Sequence, residues 1–228
     1  MRSRRNDSGT QRRPRFRNRR AAGEALGARL AEESFTNPLV LALPRGGVPV
    51  AYEVAVALRA PLEVFVARKV GAPGREELGI GAIAEGSDEL VVSETARALG
   101  LTSRQLESLA SKERIELDRR VEQYRAGAPL PELAGRDVIL VDDGLATGVT
   151  AEAALRALRR RKPRRLVLAA PVCAPETAGR LGAVADRVVC LAAPTAFYAV
   201  GVWYEDFSQT SDAEVVDLLR RYRRGPSV

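Results

Sequence analysis

The sequence predicts an α/β fold: a central, mostly parallel sheet flanked by helices. Two observations carry that reading. Short apolar runs alternate with segments of helical periodicity along most of the chain. The central runs are continuously apolar rather than alternating, so both of their faces must be covered. A length of 228 residues with 46% hydrophobic composition suits one such domain with room for a small subdomain.

The elements follow in order. From Arg19 to Glu33, Leu26 and Leu30 among alanines read as a helix. PLVLAL (38–43) is a short buried strand that stops at Pro-Arg-Gly-Gly, and VPVAYEVAVAL (48–58) is a helix with proline in its first turn. LEVFVA (62–67) is the next strand, ending at Arg68-Lys69. Residues 71–86 are glycine-rich and charged, then apolar, and predict a mobile loop followed by a strand. Residues 93–100 and 102–125 read as helices; in the second, Leu106, Leu109, Leu117, Val121 and Tyr124 share a stripe. DVILV (137–141) is a strand and TAEAALRALRRR (150–161) a helix. RLVLAAPV (165–172) and RVVCLA (187–192) are strands around a short helix near 176–182, and Asp212 to Arg223 closes the chain as a helix. No internal repeat is visible.

Charge is unevenly placed. The formal net charge is +7, yet nine arginines and one aspartate fall within residues 1–20, which leaves the body close to neutral. Residues 1–18 therefore read as a basic disordered arm ahead of a domain spanning 19–228. Nucleic acid is a conceivable partner only through that arm. No apolar stretch follows the arm's arginines, as a secretory signal would require, and the uncharged run Val188–Tyr204 is broken by Pro194 and Thr195, so no membrane segment is expected. Cys173 and Cys190 lie in apolar strand-like runs and are expected as reduced core residues, in keeping with a cytoplasmic chain.

The chain contains no histidine, which excludes Ser-His-Asp and Cys-His catalysis and histidine-ligated zinc. That leaves carboxylates, lysine or arginine, hydroxyls, backbone amides and a hard, oxygen-binding cation to carry its chemistry.

In parallel sheets, ligands bind beyond the carboxyl ends of the strands. The residues there are Arg45-Gly46-Gly47, Arg68-Lys69, Asp142-Asp143 and the loop after Leu191. Adjacent carboxylates at a strand end repel and need partners, either a cation or sugar hydroxyls. Ala146 to Thr150 then offers consecutive amides, a glycine and two hydroxyls at a helix start, which suits a phosphate. Together they describe a ribose 5-phosphate. Competing motifs fit worse. A Walker A loop needs Lys-Ser/Thr after its glycine, and Gly148 is followed by Val149. GIGAIA (79–84) follows a charged loop rather than a strand. The last lysine, Lys162, lies too early for a phosphate receiver domain.

VILVDDGLATGVT (138–150) resembles the phosphoribosyl pyrophosphate (PRPP) signature of the type I phosphoribosyltransferases, and ALPRGGVPVA resembles that family's pyrophosphate loop. The similarity is greatest to bacterial phosphoribosyltransferase-domain proteins of undefined acceptor, whose ending resembles WYEDFSQTSD. The resemblance implies a Mg2+-dependent transfer of phosphoribosyl from PRPP to a nitrogenous base or related acceptor, with a small hood formed by the N- and C-terminal segments. It implies that Asp142 and Asp143 hold the ribose hydroxyls and that Ala146, Thr147, Gly148, Val149 and Thr150 cradle the 5′-phosphate. By the same analogy, Arg45, Gly46, Gly47, Arg68 and Lys69 bind pyrophosphate, with a non-proline cis peptide in the first of these loops. Tyr198, with Phe197 and Trp203 as alternatives, would stack the acceptor. Glu205 would join the metal, with Asp142 and Asp143 acting on it indirectly. Ala146 stands where 6-oxopurine enzymes carry an acidic residue, so that route is not expected, while adenine and other acceptors stay open. Family members are commonly oligomeric, which implies a homodimer. Two other readings remain: a PRPP-sensing regulator that touches nucleic acid, and a hydrolase of phosphoribosyl compounds.

Overall fold

A computed structural model describes residues 16–225. The proposed arm over residues 1–15 lies outside the described residues. Phe16, Arg17 and Asn18 do not belong to an arm. The amide of Phe16 donates to the Trp203 carbonyl at 2.8 Å, its carbonyl accepts from Glu205 at 2.8 Å, and Asp206 N–H donates to the Arg17 carbonyl at 3.0 Å. Asn18 caps helix α1 (Arg19–Ala31), its side chain accepting from the Ala21 amide. The sequence missed this because three residues of an arginine-rich segment carry no periodicity of their own.

The main sheet has five strands: β1 (Leu39–Ala42), β2 (Leu62–Val64), β6 (Asp137–Val141), β7 (Arg165–Val172) and β8 (Arg187–Ala192). Their order is β2-β1-β6-β7-β8 and every pairing is parallel. The burial follows from the continuous apolar runs. Val40, Ile139 and Val167 face one core, with α1, α2 (Gly47–Leu58), α4 (Ser103–Arg125) and α7 (Asp212–Arg224). Leu41, Leu140 and Leu168 face the other, with α5 (Val149–Arg160) and α6 (Pro175–Leu181). Each fully buried leucine or valine contributes roughly 1.5–3 kcal/mol, so this double-sided core dominates stability.

The chain runs from β1 outward to β2 on one side and later enters β6 on the other side of β1. That reversal opens a crevice between the carboxyl ends of β1 and β6.

A second, three-stranded sheet corrects two expectations. Residues expected as a mobile loop form an antiparallel hairpin of β3 (Ala67–Ala72) and β4 (Arg75–Ala84), extended by β5 (Val91–Val92). Pro73-Gly74 makes the turn, with Gly74 at φ 69°, the combination a tight turn of this kind demands. Glycine content suggested mobility, whereas Gly79 and Gly81 sit inside β4, where side chains would meet Lys69 and the Val91 carbonyl. In addition, β2 ends at Val64, so Arg68-Lys69 lie within β3 and not at the end of a parallel strand. A short helix, α3 (Glu94–Ala98), links β5 to α4.

The expected reduced thiols are also corrected: Cys173 and Cys190 are joined in a disulfide, with Cα atoms 6.1 Å apart. The apolar runs gave burial, but not that β7 and β8 are hydrogen-bonded neighbours that bring the two sulfurs together. The thiol argument for a cytoplasmic chain falls with it. Among the described residues, no helix is long and apolar enough to cross a membrane.

Candidate functional site

The crevice between β1 and β6 brings together the two loops singled out by sequence. After β1, the chain turns through Pro44-Arg45-Gly46-Gly47, and the Pro44–Arg45 peptide bond is cis. After β6 come Asp142 and Asp143. The loops touch directly. A Cβ on Gly47 would stand 2.7 Å from the Val141 carbonyl, and one on Gly46 would collide with the Asp143 carboxylate. The two glycines are therefore required by proximity to the acidic pair.

The pair is asymmetric. Asp142 Oδ1 accepts from the Asp143 amide at 2.8 Å. Asp143 Oδ2 accepts from Arg19 Nε at 2.7 Å, with both side chains largely buried. Arg19 also donates to the Ser208 carbonyl and lies 3.9 Å over the Phe207 ring, while the Tyr204 hydroxyl donates to the Asp143 carbonyl at 2.6 Å. Burial pushes the Asp142 carboxyl well above its usual range, with Asp143's charge adding to the rise. Burial raises Asp143 too, and Arg19 opposes it. Two carboxylates held this way gain most from a partner that brings hydroxyl donors or positive charge.

Beyond the pair, Gly148 adopts φ 67° and opens α5 without any side-chain cap. The first amides of α5 therefore have no side-chain cap, which is compatible with an anion at this helix start. Ala146 and Thr147 are exposed, Gly148 and Thr150 half-buried, and the Val149 side chain is buried, so Val149 offers only its backbone.

A cleft of about 690 Å³ is bounded by Pro44, Arg68, Lys69 and Thr150. Its far wall is α4, which contributes Lys112 and Arg120. Sequence reasoning missed both. Lys112, Glu116 and Arg120 recur every four residues, and that stripe was the available signal. Arg68 is tied to Glu113, its Nε donating at 2.7 Å, and lies 3.8 Å from Glu116. Arg119 and Arg120 hold the Glu116 carboxyl down at about 2, chiefly through the Arg119 hydrogen bond. Arg45 lies 3.6 Å from Asp212, which also accepts from the Tyr124 hydroxyl at 2.6 Å. Burial works against ionisation of Asp212, but the Tyr124 hydroxyl and Arg120, Arg45 and Arg119 hold its carboxyl below the usual range. Helices α4 and α7 thereby converge on the first loop.

The expected acceptor aromatics are not gathered at one place. Trp203 is 2% exposed, in a cluster with Ala22, Val172 and Tyr204, and Phe197 packs against that cluster. For Trp203 this is a correction: the ring fills the junction of the terminal segments. Only Tyr198, 79% exposed, presents an open ring. Glu205 is an exposed carboxylate whose amide pairs with Phe16. The described residues contain no group of three or more side chains able to hold a metal ion. Of the carboxylates expected to serve a metal, Asp142 and Asp143 stand at the crevice, where their oxygens would suit a hard cation.

A family model described as a phosphoribosyl transferase domain matches residues 18–206. Two curated relatives from strains of Mycobacterium tuberculosis, whose names propose a phosphoribosyl transferase, are 45% identical over 209 residues. That match covers 92% of this chain and 47% of each relative, so the chain spans about half the length of the curated relatives it matches. The crystal structure of TT1426 from Thermus thermophilus is 47% identical, covers 90% of this chain and 97% of its own, and superposes with a TM-score of 0.75.

Proposed function

We propose that this chain, which belongs to the phosphoribosyl transferase domain family, transfers a phosphoribosyl group from PRPP to a nitrogenous base or related acceptor and releases pyrophosphate. The observation that carries the reading is the contact between the Gly46-Gly47 turn and the Asp142-Asp143 pair. It sets a basic loop, two ribose-ready carboxylates and an uncapped helix start around one crevice.

The chemistry follows from these parts. Displacement at the anomeric carbon builds positive charge on the ribose ring and negative charge on the departing pyrophosphate. Asp142 and Asp143 accept hydrogen bonds from the ribose hydroxyls and oppose the ring's charge. The amides at the start of α5 hold the 5′-phosphate and fix the sugar. Arg45, Arg68 and Lys69, together with Lys112 and Arg120 of α4, line the side toward which the leaving group departs. A magnesium ion bound with the substrate would neutralise charge on the diphosphate, with Asp142 and Asp143 acting on it indirectly. None of these roles needs histidine. Ala146 provides no carboxylate to manage a purine ring proton, which favours acceptors that need none at that position.

The test is calorimetric titration of PRPP into the protein with and without magnesium, followed by a screen of bases for pyrophosphate release. Magnesium-dependent binding with base-dependent release is the expected result. Absence of PRPP binding under both conditions overturns the proposal.

A further inference from the structure

Helix α6 bears directly on the phosphate loop. The Thr177 hydroxyl donates to the Ala146 carbonyl, and Arg180 donates to the Thr147 carbonyl. The Arg180 guanidinium is gripped in turn by Glu152, in the first turn of α5. The approach is close: a Cβ on Gly148 would collide with the Thr177 methyl and stand 3.0 Å from Leu181. Backbone bonds stitch the same junction, Leu145 N–H to the Val172 carbonyl at 2.9 Å and Ala174 N–H to the Leu145 carbonyl at 2.8 Å. Thr177 is 6% exposed, so its hydroxyl is committed to this contact.

Resting on the phosphate reading above, we infer that Thr177 and Arg180 are positioning residues that set which way the loop's peptide groups point. In a trans peptide the carbonyl and the following N–H point in opposite directions. With the Ala146 carbonyl turned toward α6, the Thr147 N–H faces away from α6. With the Thr147 carbonyl held the same way, the Gly148 N–H does too. No backbone carbonyl among the described residues accepts from the amides of Ala146, Thr147 or Gly148. Two donors are thus pre-aimed as a concave anion receptor before any ligand arrives. A flip of either peptide would set a carbonyl oxygen against a phosphate oxygen, and the side chains of α6 hold the loop against that flip. A glycine in the loop makes such a flip otherwise inexpensive.

The experiment compares wild type with Thr177→Val, Thr177→Ser and Arg180→Met. Each protein is titrated with ribose 5-phosphate and, separately, with magnesium pyrophosphate, and its Tm is recorded. Thr177→Val keeps the shape and removes the hydroxyl. Loss of one neutral hydrogen bond predicts about fivefold weaker ribose 5-phosphate binding, with pyrophosphate affinity within about twofold of wild type. Thr177→Ser should restore wild-type affinity, and Arg180→Met should weaken the same ligand selectively. Unchanged ribose 5-phosphate affinity in Thr177→Val overturns the inference. So does a proportional loss of both ligands, or a serine variant as weak as the valine one. A wild-type protein that binds pyrophosphate but not ribose 5-phosphate overturns the phosphate reading itself, and this inference with it.

Discussion

Arg19 Nε donates to Asp143 Oδ2 at 2.7 Å across 124 residues of sequence. The first turn of the first helix is thereby bonded to the acidic pair at the end of β6. The same guanidinium lies over Phe207 and donates to Ser208, so both terminal segments are gathered on one carboxylate. The two terminal segments and the acidic pair are therefore one unit.

Arg19→Met is expected to destabilise the protein by about 3 kcal/mol, because it leaves a buried carboxylate without its partner. Arg19→Lys should recover only part of that, since an ammonium cannot bond Asp143 and Ser208 while lying flat on Phe207. Urea unfolding of the three proteins measures this. A loss below about 1 kcal/mol in Arg19→Met would mean that the pair is an incidental surface contact.

The acidic pair should set function against stability. The folded carboxyl of Asp142 is raised above its unfolded value, so its contribution to stability is intact below about pH 4 and is lost as pH rises through the folded value. Asparagine carries no charge at any of these pH values and keeps an oxygen to accept from the Asp143 amide. Asp142→Asn should therefore gain Tm on wild type as pH rises from 4 to 8, with the two proteins converging at the acid end. The same variant should lose PRPP affinity at least tenfold. Melting curves at pH 4, 6 and 8 decide the first claim: a gap that does not change with pH counts against the raised carboxyl.

The turn into α5 depends on a left-handed residue. Gly148→Ala places a Cβ at φ 67°, costing about 1–2 kcal/mol for the backbone alone, and drives it into the Thr177 methyl. Expected are a stability loss of that order or more and a larger loss of ribose 5-phosphate affinity than of pyrophosphate affinity. Equal loss of both ligands would place the damage outside the loop.

Much of this was legible in the sequence because the relevant signals are local. The apolar runs of β6, β7 and β8 have the lengths seen in the structure; for β6 and β7 this is because a strand buried on both faces leaves a continuous run. Asp142-Asp143 and the Thr147–Thr150 turn were legible because chain order fixes their neighbourhood. What escaped depended on register between distant segments. The Cys173–Cys190 bond needed the β7–β8 pairing, Arg19 on Asp143 needed the docking of α1, and the hairpin at 67–84 was masked by its glycines, of which Gly79 and Gly81 answer to crowding and Gly74 to the positive φ of the turn. Trp203 was misjudged for a related reason: an aromatic stretch looks alike whether it faces a ligand or fills a junction.

The second sheet and α4 are locked by one buried ion pair, which tests how far the cleft relies on that lock. Both terminal nitrogens of Arg125, at the end of α4, bond Glu85, just after β4, and Glu85 also accepts from the Val66 amide at 3.0 Å. The two side chains are 6% and 7% exposed, and Arg125 Nε has no partner among the described residues. Breaking such a pair strands a charge, so Glu85→Gln should cost about 3–5 kcal/mol. Replacing both, as Glu85→Gln with Arg125→Met, removes the stranded charge and should recover at least half of that loss, and a double-mutant cycle reads the coupling directly. Because Lys112 and Arg120 ride on α4, Glu85→Gln should also weaken magnesium pyrophosphate binding under conditions where the variant is still folded, and ribose 5-phosphate binding should change less. If the single variant loses stability but keeps wild-type pyrophosphate affinity, α4 holds its place by its apolar stripe and by contacts such as Arg68 to Glu113, and the Glu85–Arg125 pair serves stability without shaping the cleft.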